Sequence, residues 1–348
     1  MGFHGRYLSI GILTVAVMMS SILLASQNPL VLAQAPKMGL VLGATIDDLG
    51  WGALHNQALQ YLKDKKGFEV AISEEVPPSE WENAARSYAE GGYNYVIMGG
   101  PQFTEVTMRL APDYPDTMFI VTAAVPSDNP IPPNVIGIDP KNEQSGYLAG
   151  VLAGGMTKSK KIGIVAGQDF PNLVRMYEAF KLGAAKQNPG VQIFQAYTGN
   201  FVDVAKGFEA AKGQTDSGAD IIFQDLDRGA FGVVNALKEK PGQFLIGNTN
   251  DQSFLAPEIV LTSALMNHSS IITQVIEDID SGKLKGGEFL RWGIKEGVAG
   301  IAPYHETSDK IPSDLKGKVE QVKQQIVNGT LEIPEIYEAD GYKKHLGS

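Results

Sequence analysis

Apolar positions in this chain repeat on two scales. Short apolar runs that end in glycine or a polar turn alternate with longer stretches whose apolar residues fall at helical spacing. Met38–Gly43 and Phe68–Ile72 read as strands, and Gly52–Lys65 between them as a helix carrying Ala53, Leu54, Ala58, Leu59 and Leu62 on one face. Ser79–Glu90 follows as a helix with Ser79 as its expected N-cap, then strand Tyr95–Met98, helix Phe103–Ala111 and strand Met118–Val121. After Val135–Ile138 and a small-residue helix over Gly146–Met156, the alternation restarts. Strands are expected at 161–165, 191–196, 221–223, 244–246 and 260–262, with helices at 173–187, 204–217, 231–239 and 269–281. Strand–helix alternation of this kind implies parallel sheets covered by helices. The fold class read from it is α/β: two Rossmann-like lobes with parallel sheets joined by a three-segment hinge.

The N-terminal segment breaks this pattern. Residues 1–35 read as a secretory signal, with Arg6 in the n-region, an apolar stretch from about Ile10 to Leu24, and small residues at Ala33 and Ala35 for cleavage. An uncleaved anchor over Tyr7–Ala25 is the alternative. The rest divides into an N-terminal lobe of 36–140 plus 256–286 and a C-terminal lobe of 141–255 plus 287–348. Crossings are expected near Asp139–Glu143, Asp251–Glu258 and Lys283–Arg291.

Composition narrows the function. The chain has no cysteine, which excludes disulfides, thiol catalysis, Cys-ligated metals and a lipid anchor on an N-terminal cysteine. A freely diffusing periplasmic monomer is therefore expected. The net charge is −10, which argues against nucleic acid or anionic lipid as a partner. No phosphate-binding lysine loop, no Gly-x-Ser-x-Gly elbow and no His-Glu-x-x-His stands in the sequence. Five scattered histidines make a zinc site improbable. No catalytic residue, metal or cofactor is expected.

Ligands of open α/β sheets bind beyond the carboxyl ends of the strands. Two such sheets facing each other bring their strand-end loops into one cleft. The first loop places Asp48, Trp51 and His55 around a helix start, with Gly50 and Gly52 allowing close backbone approach. An indole there suits stacking on a planar ring; the alternative is that Trp51 covers the sheet edge and Asp48 caps the helix. Gln102 and Phe103 follow the third strand, and Asp169 and Phe170 occupy the equivalent loop of the second half. Asp227 and Arg228 end a strand, where the guanidinium serves either a ligand or its acidic neighbours. Asn250 and Asp251 form a polar turn that either meets ligand or closes an Asx turn.

These residues resemble the basic membrane protein family of importer binding proteins, the purine-nucleoside-receptor-like group with a type I periplasmic-binding fold. The resemblance covers most of residues 38–300. It is carried by Asn134-Val-Ile-Gly-Ile, Gly146-Tyr-Leu-Ala-Gly-Val-Leu-Ala153, Thr198-Gly-Asn-Phe-Val-Asp203, Gly218-Ala-Asp-Ile-Ile-Phe223 and Asn250-Asp-Gln252. It implies a purine ring sandwiched by aromatics of the two lobes, with Trp51 in the place of the first-lobe Phe and Phe223 near the second-lobe aromatic. It implies ribose hydroxyls held by carboxylates, Asp251 matching one of them, and an ABC permease in the cytoplasmic membrane as partner. Other acids of the pattern are replaced here by Leu42-Gly43 and Thr122-Ala123. The expected ligand is thus a purine nucleoside, a nucleobase or a similar small heterocycle. A sensor docking on a membrane signalling receptor is the alternative role.

Overall fold

The computed structural model describes Met1, Gly2 and residues 35–126 and 129–347. The segment read as a signal lies almost wholly outside the described residues. Residues 36–348 form one compact unit.

Its first half runs β1 (Lys37–Val41), α1 (Trp51–Lys66), β2 (Glu69–Ser73), α2 (Trp81–Glu90), β3 (Tyr95–Met98), α3 (Thr104–Leu110), β4 (Met118–Thr122) and β5 (Val135–Ile138). The second runs α4 (Asn142–Met156), β6 (Lys161–Ala166), α5 (Pro171–Gln187), β7 (Gln192–Tyr197), α6 (Val204–Asp216), β8 (Ile221–Asp225), α7 (Ala230–Lys238), β9 (Phe244–Thr249) and β10 (Val260–Met266). The chain closes with α8 (His268–Asp280), β11 (Glu288–Leu290), β12 (Ala299–Ile301) and α9 (Ser313–Val327).

Two six-stranded sheets result, ordered β11-β5-β4-β3-β1-β2 and β12-β10-β9-β8-β6-β7. All pairings are parallel except that of β12 with β10. The central strands are buried on both faces, which is why they read as unbroken apolar runs. Helices cover each sheet on both sides and give each lobe two apolar clusters.

The lobe boundaries differ from those expected. Residues 256–286 were assigned to the first lobe, yet β10 pairs in parallel with β9 of the second sheet. The chain returns only at α8, whose Ile271, Ile272, Val275 and Ile276 enter the core under β1 and β3. It stays through β11 and leaves again before β12. The second crossing is therefore at Met266–His268 rather than Asp251–Glu258. An apolar strand carries no mark of which sheet it joins, so Val260–Met266 was open to either. Ser79 does not cap α2, because a short 3₁₀ turn over Pro78–Glu80 intervenes.

The first and third crossings run side by side: Asp139 N–H donates to Leu290 O at 2.9 Å and Lys141 N–H to Trp292 O at 2.8 Å. Arg175 of α5 is 1% exposed and bonds both carboxylate oxygens of Asp139, at 2.7 and 2.8 Å. Arg291 joins Asp139, Glu143 and Glu335 in the same cluster.

In the second lobe, α4 and α5 pack backbone to backbone. A Cβ at Gly150 would lie 2.1 Å from Phe180 O, and one at Gly183 would lie 2.3 Å from Tyr147 O. Gly150→Val should lower unfolding stability by about 3 kcal/mol in urea titrations, because the helices must separate to admit the side chain. A loss below about 1 kcal/mol would mean that the contact yields freely.

Candidate functional site

The turn before α1 is built on one carboxylate. Asp48, 1% exposed, accepts N–H from Gly50 at 2.8 Å, Gly52 at 2.7 Å and Ala53 at 3.1 Å. It satisfies donors that a helix start leaves without intrahelical partners. Its role here is therefore the helix cap. A Cβ at Gly52 would fall 2.0 Å from Thr45 O, so only glycine fits.

Trp51 is thereby fixed as the first residue of α1. Its indole N–H donates to Gly99 O at 3.0 Å, beyond the end of β3. Its ring packs on His55 at 4.7 Å and edge-on to His268 at 4.5 Å between centroids. His55 is wholly buried, with Nδ1 at 2.8 Å from Trp51 O and Nε2 at 2.8 Å from Thr122 Oγ1. A carbonyl only accepts, so Nδ1 carries the proton and Nε2 accepts from Thr122. Burial lowers the His55 pKa to about 4, against the hydrogen bond to Trp51. His268 is pushed well below its usual value by burial and then by His55, and neither of its ring nitrogens has a partner. His55 thus supports the indole from behind.

In front of the indole lies a cavity of about 720 Å³ between the two sheets' strand ends. From the first lobe it is lined by Trp51, Trp81, Gln102 and the Val76-Pro77-Pro78 segment. From the second lobe it is lined by Phe170, Phe201, Asn172, Asp225 and Asp227. Size and lining match a small-molecule site, apolar and aromatic with a few convergent polar groups. Among the described residues, its lining contains no Lys, Arg or His. Asp225 accepts from Tyr177 OH and from Asn248 Nδ2 at 2.6 Å. Burial raises its pKa, against these two bonds. Asp227 is raised well above the usual carboxylate range by burial, then by the charges of Asp48 and Asp225.

The lobes also touch directly at the first loop. Trp51 N–H donates to Asp227 Oδ1 at 3.3 Å, Asn250 Nδ2 to Leu49 O at 3.2 Å, and Arg228 to Asp47 at 2.5 Å.

The model of the Bmp family, ABC transporter substrate-binding proteins of the PnrA-like type, matches residues 35–337. The chain belongs to this family. Basic membrane protein A1 of Borrelia garinii subsp. bavariensis is 25% identical over 90% of this chain and 92% of its own. The ABC transporter nucleoside-binding protein BmpA of Lactococcus lactis subsp. cremoris is 24% identical over 78% of this chain and 79% of its own. An ABC transporter solute-binding protein from Aeropyrum pernix K1 has the same fold, with a TM-score of 0.80 at 20% identity, covering 90% of this chain and 96% of that one. Bmp proteins are extracytoplasmic substrate-binding components, not enzymes. They bind small molecules and work with permeases.

Within this Bmp chain, Trp51, Gln102, Phe170 and Asp227 line the cavity, and Asp169 lines an adjoining recess of about 340 Å³ that shares Gln168 and Phe170 with it. The other expected contacts lie elsewhere. Phe103 is wholly buried and packs behind Trp81 at 5.0 Å. Phe223 is also wholly buried, stacked on Phe180 at 4.6 Å in the second core. Side chains alternate along β8, so Phe223 and Asp225 share a face, but only Asp225 reaches the cavity end. Arg228 pairs with Asp47, and Asn250 reaches Leu49. Asp251 closes the Asx turn on Ser253 N–H at 3.1 Å and meets His305 at 2.6 Å. The second-lobe aromatics at the cavity are Phe170 and Phe201. Phe201 and Asn172 lie in strand-end loops expected at the cleft, Gly199–Asp203 and Gly167–Asn172, without being singled out; Trp81 was passed over, though a Trp in the first helical turn after Pro77-Pro78 was a usable signal.

Two outcomes follow. A Cβ at Gly50 would lie 1.8 Å from Asp227 Oδ1. Gly50→Ala should therefore turn the Asp227 carboxylate away from Trp51 N–H and cost about 1 kcal/mol of stability in urea titrations. Unchanged stability would refute the contact. For His55, the folded pKa of about 4 lies below the ordinary 6.5. The unfolded chain takes up the proton first, so its stabilising contribution is complete above pH 6.5 and is lost as pH falls toward 4. Between pH 7 and 4.5 that loss should be about 2–3 kcal/mol. The pH dependence of urea unfolding should flatten by about that amount in His55→Gln.

Proposed function

We propose that this protein captures a flat heterocycle, a purine nucleoside, a nucleobase or a close analogue, outside the cytoplasmic membrane and delivers it to the permease of an ABC importer. The observation that carries the reading is the Trp51 indole. It is fixed by its N–H bond to Gly99 O, backed by His55 and His268, and lines a cavity whose far wall bears Phe170 and Phe201. Aromatic faces from both lobes suit a ring held between them, as sequence-tolerant stacking platforms hold bases.

Polar groups around the ring favour the same class. Gln102, Gln168, Asn172 and Thr249 offer both donors and acceptors at the cavity wall, which suits ring nitrogens, exocyclic groups and hydroxyls. The Lactococcus relative, whose name describes it as nucleoside-binding, points the same way. Ligand touching both lobes would favour the approximated arrangement, a population shift that a permease can read. The protein acts as a monomer in this account, and residues 1–35 serve as the export signal.

Thermal-shift screening of nucleosides, nucleobases and small amides should yield a stabilising ring compound. Trp51→Ala should then weaken its binding by about 1–3 kcal/mol in calorimetry. Unchanged affinity in Trp51→Ala would remove stacking from the account.

A further inference from the structure

The cavity is one-sided in charge, and this narrows the ligand beyond its shape. We propose that the ligand is a ring cation, a flat heterocycle positively charged at neutral pH, held with its charge toward Asp225 and Asp227; this rests on the ring-binding reading above.

Two carboxylates, Asp225 and Asp227, face the cavity from the second lobe, and Glu75 stands at its first-lobe side. Among the described residues, none of those lining it carries a positive charge. Arg228, beside Asp227 in sequence, is turned to Asp47 instead. Asp227 therefore keeps only a long bond, 3.3 Å, from Trp51 N–H. Asp225 is bonded by neutral groups, Tyr177 and Asn248.

A second, independent feature points to a donor-bearing ligand. Asn172 lines the same cavity and is nine-tenths buried, yet its Oδ1 has no hydrogen-bond partner. Buried acceptors without donors are costly, and a ligand that brings N–H groups removes the cost. The aromatic wall fits too. The faces of Trp51 and Trp81 attract a cation through the ring quadrupole, most strongly where water is excluded. The raised pKa of Asp227 is what such a carboxylate shows when no cation is beside it. Anionic ligands, phosphates among them, would meet carboxylates with no compensating base.

The test uses two pairs of closely matched rings and the intact protein. 1-Methyladenosine is a ring cation at neutral pH, and its isomer N6-methyladenosine is neutral. 1-Methylnicotinamide and nicotinamide form the second pair, and adenosine 5′-monophosphate supplies the anion. Calorimetry should find at least one cation bound about tenfold or more tightly than its neutral partner, and the monophosphate weakest of all. Asp227→Asn should bring that ratio down toward one. Equal or tighter binding of the neutral member in both pairs overturns the charge assignment while leaving ring stacking intact. A preference for the cation that survives both Asp227→Asn and Asp225→Asn also overturns it. Failure of every ring compound to bind overturns this proposal and the ring-binding reading together.

Discussion

Everything at the cleft depends on the Asp48 carboxylate and the three backbone N–H groups it accepts. Burying an ionised carboxylate is expensive unless its oxygens are bonded, and the start of α1 supplies the donors. That exchange fixes a turn in which Gly52 has no room for a side chain and Trp51 has one position. The same few residues then carry the contacts to the other lobe. Asp47 meets Arg228, Leu49 O meets Asn250, and Trp51 N–H meets Asp227. Ring placement and lobe contact are thus properties of one turn, so a change that loosens it alters both together.

Resistance to separating the lobes is uneven. On the crossing side, Arg175 and Asp139 are almost fully buried and doubly bonded, and Arg291 ties both to Glu143 and Glu335. Removing one member of such a cluster would strand an unpaired buried charge, a strongly destabilising event. On the rim side, the Arg228–Asp47 pair is largely exposed and so contributes little. The chain therefore has a firm pivot and a weakly joined rim, the arrangement that hinge motion around a ligand requires.

Much of this was legible in the sequence. The alternation of apolar runs and helical spacing located the strands of both sheets through β10 and the helices between them, because strands buried on two faces and amphipathic helices differ in period. Trp51 was legible too, since a large aromatic between two glycines at a helix mouth has few structural uses. What failed, failed for physical reasons. The sheet to which Val260–Met266 belongs is decided by long-range pairing, and nothing local in an apolar strand records it. Phe223 lies on the face of β8 that leads to the cavity but stops short of it: two residues separate a core aromatic from a cavity acid. Asp251 and Asn250 formed turn and lobe contacts for which short polar side chains are equally suited. The three-residue strands β11 and β12 are too short to show a period, and α9 was not read although Leu315, Val319, Val322 and Ile326 stand at helical spacing.

The face that Phe223 shares with Asp225 also explains how a dense core and a charged cavity coexist in one element. Along β8 every residue from Ile221 to Asp225 is buried, and the face that stacks Phe223 on Phe180 continues to Asp225 without a break. Only the strand's end changes the surroundings. There Tyr177, rooted in the same core, offers its hydroxyl to Asp225, and Asn248 offers its amide from β9. The carboxylate is thus held by side chains of the buried core, Tyr177 of α5 among them, and α5 meets α4 backbone to backbone. An acid so placed cannot swing out to water to relieve its burial. Its charge must be met where it stands, by a proton or by whatever the cavity receives.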